Sequence, residues 1–394
     1  MKSVLLVYEN AADVPRPELD GRTPLQVARC AAATRLASEG RCGVLGKVPS
    51  GETARAEAML AALCGVPRED AWRLARGPLE AESAGVDWSA FNYAYRGDFV
   101  TLDEGVMRDS WLSKLSLQET ERLVQAVQAE FDPERVRLLT LGPAHVVVLV
   151  SVDDVRLEPG HAPWAVEGEV ALALPAGKRG RLARDIMDKA AAVLTRQTIN
   201  DVRVDLGENP ASALWLWGGG PRVDLPHRFG GRPLQAAMLT QSAMAAGLGR
   251  RLGMKVEPLL DPWAGHGPAD VVEPGRLAGL LKDSDLLVVY VEAPAELVRG
   301  AAADKVRLLE RMDVLLTQPL LDGVRKIKLR RMALATLDAT VGEAERERAV
   351  AQPVAVWGAH VEPDGVPRWE EAACARGELG TVDPAAVLGL LSGE

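Results

Sequence analysis

Ser3-Val4-Leu5-Leu6-Val7-Tyr8 is a short apolar run that closes on the polar pair Glu9-Asn10, with Asp13 just beyond. Gly21-Arg22-Thr23-Pro24-Leu25-Gln26-Val27-Ala28 then makes a turn and enters a helix. A strand carrying acidic groups at its C-terminal end opens an open α/β sheet, and such sheets take their ligands outside the carboxyl ends of their strands. Far along the chain, Leu286-Leu287-Val288-Val289-Tyr290-Val291 is apolar throughout and reads as a further, buried strand of that sheet. The fold class expected from these runs is α/β.

The bulk numbers narrow the function classes. With 394 residues, 47% hydrophobic and 26% charged, the chain has the composition of an ordinary globular protein. Its length allows one large domain with a smaller insert, or two domains. The 46 Lys+Arg against 55 Asp+Glu give a formal charge of -9, which argues against nucleic acid or an anionic membrane as a general partner. Cys30, Cys42, Cys64 and Cys374 are scattered, without a Cys-x-x-Cys pair or a His at ligand spacing, so reduced thiols are expected. The apolar start is too short for a signal segment, and no run approaches the roughly 18 residues of a membrane span. A cytoplasmic protein is expected.

Taken in order, residues 24–38 read as a helix ended by Gly40, 43–48 as a strand, and 53–63 as an Ala-rich helix closed by Gly65. Residues 117–131 form an amphipathic helix. Residues 136–141 and 145–150 flank Gly142-Pro143 as a β-hairpin. Residues 166–174 read as a strand and 182–195 as a helix. Ala213-Leu214-Trp215-Leu216-Trp217 is an apolar strand running into Gly218-Gly219-Gly220, read as a loop where backbone approaches a ligand closely. The two tryptophans share one face and are expected in the core. Residues 234–252 and 274–281 complete the helices.

Several of these stretches together resemble the archaeal-type cofactor-independent (2,3-bisphosphoglycerate-independent) phosphoglycerate mutases of the alkaline phosphatase superfamily. They are Arg76-Gly77-Pro78-Leu79-Glu80-Ala81, Tyr95-Arg96-Gly97-Asp98-Phe99-Val100-Thr101, Gly207 to Gly220 with its Asn209-Pro210-Ala211, and Val291-Glu292-Ala293-Pro294. The second reads approximately Phe-Arg-Cys-Asn-x-Val-Thr in the family. The resemblance implies an alkaline-phosphatase-like core, with a central, mostly parallel sheet sandwiched by helices, made from residues 1–98 and 196–394. Residues 99–195 would form an inserted, smaller α+β lid domain. It also implies an isomerase that interconverts 2- and 3-phosphoglycerate, using a phosphorylated serine and two divalent metals (manganese, zinc or magnesium).

The same resemblance exposes what this chain lacks. Where the family's first strand ends in Gly-Asp-Gly, this one reads Tyr8-Glu9-Asn10, and counting back from Gly65 puts Arg55-Ala56-Glu57 at the family's Gly-Ser-Asp. Ala56 thus stands at the nucleophile position. Ser50 and Thr53 lie nearby and read as caps of the turn and helix start. The family's next metal Asp is Ala295 here, its following His falls at Val298 or Arg299, and its Asp-His pair becomes Asp338-Ala339. Its last His falls near Glu347 or Arg348, and none of the five histidines takes a ligand position. Glu9 and Asp338 are the vestigial metal candidates. Glu292 and Glu296 would join them if a single all-carboxylate site formed. The substrate-binding candidates are Arg76, Arg96, His161, Asn200, Gly219 and Arg299. Arg76 and Arg96 suit bidentate recognition of phosphate or carboxylate, and suit a structural salt bridge equally. His145 and His161 are the nearest matches to the lid's substrate histidines.

The expectation is a catalytically degenerate homologue, not an enzyme and without cofactor, which serves as a small-anion binder or a protein-interaction module. The alternative is an active phosphoglycerate mutase with a rearranged two-metal site.

Overall fold

The computed structural model describes the chain except residues 1, 47–54, 113, 167–169, 226–234, 261, 263–266, 268–270, 293–299, 327–330, 341–349 and 394. It divides into two compact units, one made of residues 1–73 and 225–394, the other of residues 74–224. The second unit interrupts the first in sequence.

The first unit is built on eight strands: β1 (Ser3–Asp13), β2 (Arg41–Leu45), β8 (Ala236–Thr240), β9 (Lys255–Pro258), β10 (Leu286–Val291), β11 (Arg331–Thr340), β12 (Pro353–Gly358) and β13 (Gly380–Val382). They form one sheet in the order β13-β2-β12-β11-β1-β10-β8-β9. Both neighbours of β1 are parallel to it, as are the β10/β8, β8/β9 and β13/β2 pairs. Only β12 runs against its neighbours. Val4 to Val7 are wholly buried on both faces, as a central parallel strand covered by helices requires.

Local chemistry explains the departures from the sequence expectations. The segment 24–38 is two helices, Pro24–Val27 and Ala31–Ser38. The second restarts because the carboxylate of Asp313, distant in sequence, accepts from the Ala32 and Ala33 amides at 2.8 Å each, acting as a remote N-cap. The segment 234–252 is not one helix. Its first half is strand β8, with every residue buried between β10 and β9, and the helix Ala243–Arg251 begins only after the Ser242 cap. Alanine-rich composition favours helix locally, but a vacant position in the sheet overrides it.

The second unit carries β3 (Tyr93–Asp103), β4 (Val106–Asp109), β5 (Val136–Gly142), β6 (His145–Val150) and β7 (Ala213–Pro221) in one antiparallel sheet, in which β3 pairs with β4, β6 and β7. The expected hairpin is β5–β6. The helices Leu117–Gln128 and Gly177–Leu194 pack into one buried cluster that also holds Tyr93, Tyr95, Phe99 and Trp215. The described residues of the stretch 166–174 form no strand. Among its described residues it forms the short 3₁₀ turn Val170–Leu172, anchored by the Val170 amide on the Gly105 carbonyl at 2.9 Å. The unit's limits differ from the 98/99 and 195/196 boundaries expected from sequence. The 98/99 boundary would cut strand β3, which pairs with β7 along most of its length, and β7 itself lies beyond residue 196 within the same unit.

Candidate functional site

In the first unit the candidates cluster at the C-terminal end of β1. Glu9 is 5% exposed and its Oε2 accepts a hydrogen bond from the Tyr290 hydroxyl of β10. Its register partner on β11 is Leu337, and Asp338 is the next residue along that neighbouring strand. Glu292, just past β10, accepts from the Ser242 hydroxyl, while its backbone carbonyl takes the Gln241 amide at 2.8 Å.

Four residues further along β1, Asp13 is buried against Lys305, whose Nζ lies 3.0 Å from Asp13 Oδ2 and 3.0 Å from the Ala12 carbonyl. Arg16 joins the same carboxylate at 2.9 Å. Glu371 accepts from the Asp13 amide at 3.0 Å and the Thr23 hydroxyl at 2.7 Å. Burial draws the Lys305 ammonium down to about 8 against the pull of Asp13, and burial raises Glu371. Sequence reasoning missed Lys305 because its partner lies 292 positions away.

Ala56 is the first residue of the helix Ala56–Leu63, whose residues are all buried. Arg55 precedes it as an N-cap without a side-chain cap bond, its guanidinium reaching the Trp72 carbonyl at 2.5 Å. Only a methyl group stands at this helix start. Ser50, Thr53 and Arg299 lie outside the described residues.

In the second unit Arg76 and Arg96 come together, but on carboxylates. Alternation along β3 puts Arg96 and Asp98 on one face. Asp98 is the direct cross-strand partner of His145 on β6, and Arg96 that of Trp217 on β7. The helix Arg76–Ser83 approaches this sheet closely, because Gly77 has no Cβ to strike the Ala94 carbonyl; an added one would lie 2.5 Å from it. Glu80 then receives Arg76 Nε at 2.8 Å and Arg96 Nη1 at 2.6 Å on a single oxygen. Arg96 also holds Asp98 Oδ1 at 3.1 Å through Nε. Asp98 accepts the Trp217 indole N–H at 2.5 Å and pairs with His145 Nδ1 at 2.5 Å. Both guanidinium groups lie near the Trp217 ring, 5.5 and 5.7 Å from its centroid, in cation–π contact. Burial alone would raise the Asp98 carboxyl, yet Arg96, His145 and Trp217 hold it well below the usual carboxylate range. Among the described residues, Glu80 Oε2 has no hydrogen-bond partner.

The remaining candidates are placed by the fold as follows. Asn200 is a brace: Nδ2 donates to the Leu194 and Ala211 carbonyls at 2.8 and 2.9 Å, and Oδ1 accepts the Ala211 amide at 2.8 Å. His161 is exposed, and its backbone carbonyl accepts from the Trp215 indole at 2.7 Å. Gly218-Gly219-Gly220 is not a loop but part of β7. A Cβ at Gly219 would sit 2.4 Å from the Tyr95 ring, and one at Gly220 2.5 Å from the Ala75 methyl. The close approach these glycines permit is to the protein itself.

Comparison with known proteins extends these observations. The family profile "2,3-bisphosphoglycerate-independent phosphoglycerate mutase" matches residues 37–200. The chain is 32% identical to 2,3-bisphosphoglycerate-independent phosphoglycerate mutase 2 of Methanothermobacter thermautotrophicus, covering 97% of this chain and 94% of that protein. The chain belongs to this family. It is 28% identical to the 2,3-bisphosphoglycerate-independent phosphoglycerate mutase of Methanothrix thermoacetophila, over 97% of each chain. Two solved structures share the fold at 21% identity each. A protein of Pyrococcus horikoshii superposes with a TM-score of 0.72 over 100% of this chain and 98% of its own, and the cofactor-independent phosphoglycerate mutase of Thermoplasma acidophilum with 0.57 over 100% and 99%.

The two-metal chemistry that the resemblance to this phosphoglycerate mutase family implies finds no matching donor set among the described residues. Two catalytic cations need several oxygen and nitrogen ligands converging on each. Among the described residues no group of three or more His, Cys, Asp or Glu is arranged to hold a metal, and the Glu9 carboxylate is engaged by a phenol.

Proposed function

We propose that the chain is a catalytically degenerate phosphoglycerate mutase homologue that binds a small anionic or phosphorylated ligand, with residues 74–224 as the ligand-contacting insert, the family's lid. The observation that carries this reading is Ala56. It opens a buried helix, the sequence resemblance sets it against the family's serine nucleophile, and a methyl group cannot form a phosphoenzyme. Glu9, bonded to Tyr290, supports the same reading, since a carboxylate held by a phenol has a structural use that needs no metal. A cytoplasmic location goes with the proposal; among the described residues no helix is long and apolar enough to cross a membrane. A protein-interaction role is its second form.

The rival reading, an active mutase with rearranged metals, draws on Glu9 and Asp338 lying one register step apart on adjacent strands. Elemental analysis of protein dialysed against manganese and zinc separates the two. The degenerate reading expects well under one equivalent retained per chain. Two tightly held equivalents would sink it.

A further inference from the structure

We propose that Cys42 and Cys374 form a peroxide-responsive dithiol, whose oxidation to a disulfide ties residues 361–379 onto strand β2. The two cysteines lie far apart in sequence and meet in the first unit. Cys42 stands on β2 opposite Ala355 of β12, and Cys374 ends the short helix Glu371–Cys374. Both are wholly buried, in the same apolar cluster, and both are free. The backbone brings them together. The Gly377 amide donates to the Cys374 carbonyl at 3.0 Å, and a Cβ on Gly377 would lie 2.2 Å from the Cys42 carbonyl oxygen. The Leu379 amide donates to that same Cys42 carbonyl at 2.9 Å. Asp364 Oδ2 accepts from the Cys42 and Glu378 amides at 2.7 and 3.0 Å. With the segment seated this way, the Cys42 and Cys374 thiols are in hydrogen-bonding contact.

Two thiols in contact meet the main requirement of a disulfide, whose bridged residues must lie close together. The closed state is unreactive. The Cys374 thiol beside it and burial push the Cys42 thiol well above its ordinary range, and only a thiolate is a nucleophile. The segment supplies the opening. Residues 361–370 contain no helix or strand, and their hydrogen bonds to β2 and the turn before it run through Asp364. Such stretches open locally without global unfolding. In the open segment the Cys374 thiolate attacks one oxygen of hydrogen peroxide, the O–O bond breaks, and a sulfenic acid forms as the released hydroxide takes a proton to become water. On reclosing, the Cys42 sulfur attacks the sulfenic sulfur, the S–S bond forms, the S–O bond breaks and a second water leaves with the Cys42 proton. Two thiols have then lost two electrons, and one peroxide has become two waters. The consequence falls on Glu371, three residues before Cys374, which accepts from the Asp13 amide and the Thr23 hydroxyl. A disulfide removes the open state and holds this carboxylate at the end of β1.

The test treats the full-length protein with hydrogen peroxide, blocks the remaining thiols under denaturing conditions and maps the unreduced tryptic peptides by mass spectrometry. A cross-linked peptide carrying Cys42 and Cys374, lost on treatment with dithiothreitol, is expected, with Cys30 and Cys64 recovered as free thiols. Arg368 and Arg376 are exposed trypsin sites within the segment, and cleavage of the native protein there should slow several-fold on oxidation and recover on reduction. Cys374→Ala should lose the cross-link and the protection together, whereas Cys30→Ala should keep both. The peptide map needs no variant, so it decides the pairing even where a variant fails to fold. Cys42 and Cys374 left unlinked after peroxide, whether as thiols or as higher oxides, or joined instead to Cys30 or Cys64, would overturn the pairing. A Cys42–Cys374 cross-link with unchanged cleavage at Arg368 and Arg376 would overturn the locking of the segment.

Discussion

Asp98 shows how much one carboxylate can organise. It is buried, ionised and held by an arginine, an indole and an imidazole, so its folded-state affinity for protons lies below that of the unfolded chain. Where the unfolded state binds more protons, stability rises with pH. The stability contributed by Asp98 is therefore complete above the ordinary carboxylate range and is lost as pH falls through and below about 4. Asp98→Asn should cost about 1–3 kcal/mol at neutral pH, the loss expected for hydrogen bonds to a charge, and should flatten this part of the acid limb. Urea unfolding of both proteins at several pH values checks it; equal acid dependence in the two would contradict the assignment. Sequence reading found Arg96 and left open whether it meets an anion or a salt bridge. It passed over Asp98 because the pairing with His145 depends on the register of β3 against β6, which one chain of letters does not display.

At the scale of elements, legibility follows hydrophobic pattern and fails where tertiary context decides. β1, β10 and the β5–β6 hairpin are written as apolar runs with turn residues between them. β8 was hidden because Gln235-Ala236-Ala237-Met238 has helical composition, and only its slot between β10 and β9 makes it extended. The glycines of β7 were read as a ligand loop, since sequence cannot distinguish a backbone approached by a ligand from one approached by a tyrosine. That correction can be measured. Gly219→Ala brings a methyl group to 2.4 Å from Tyr95 Cε1 and should destabilise the protein by about 1–3 kcal/mol through overpacking. Pairing it with Tyr95→Leu should recover part of the loss, because the two sites are in contact and therefore not additive. A neutral Gly219→Ala would return the glycine-rich segment to the status of an open loop.

The molecule as a whole separates fold from chemistry. The eight-stranded sheet and the family membership stand beside a proposed loss of the reacting groups, with a methyl group at Ala56 and a phenol-bound carboxylate at Glu9. Such separation is physically cheap, because a core is held by apolar burial at many positions and a catalytic site by a few polar groups. Residues 74–224 have their own sheet and their own buried cluster of Tyr93, Tyr95, Phe99 and Trp215. Expressed alone, this segment should fold and unfold cooperatively, with near-native circular dichroism; an unfolded fragment would contradict its independence. The central claim is loss of mutase chemistry. Its most direct test is ³¹P NMR of 3-phosphoglycerate incubated with the full-length protein and added manganese or zinc. No signal of 2-phosphoglycerate should grow above the protein-free control, and Ala56→Ser alone should not restore it. Steady conversion by the unmodified protein would contradict the account.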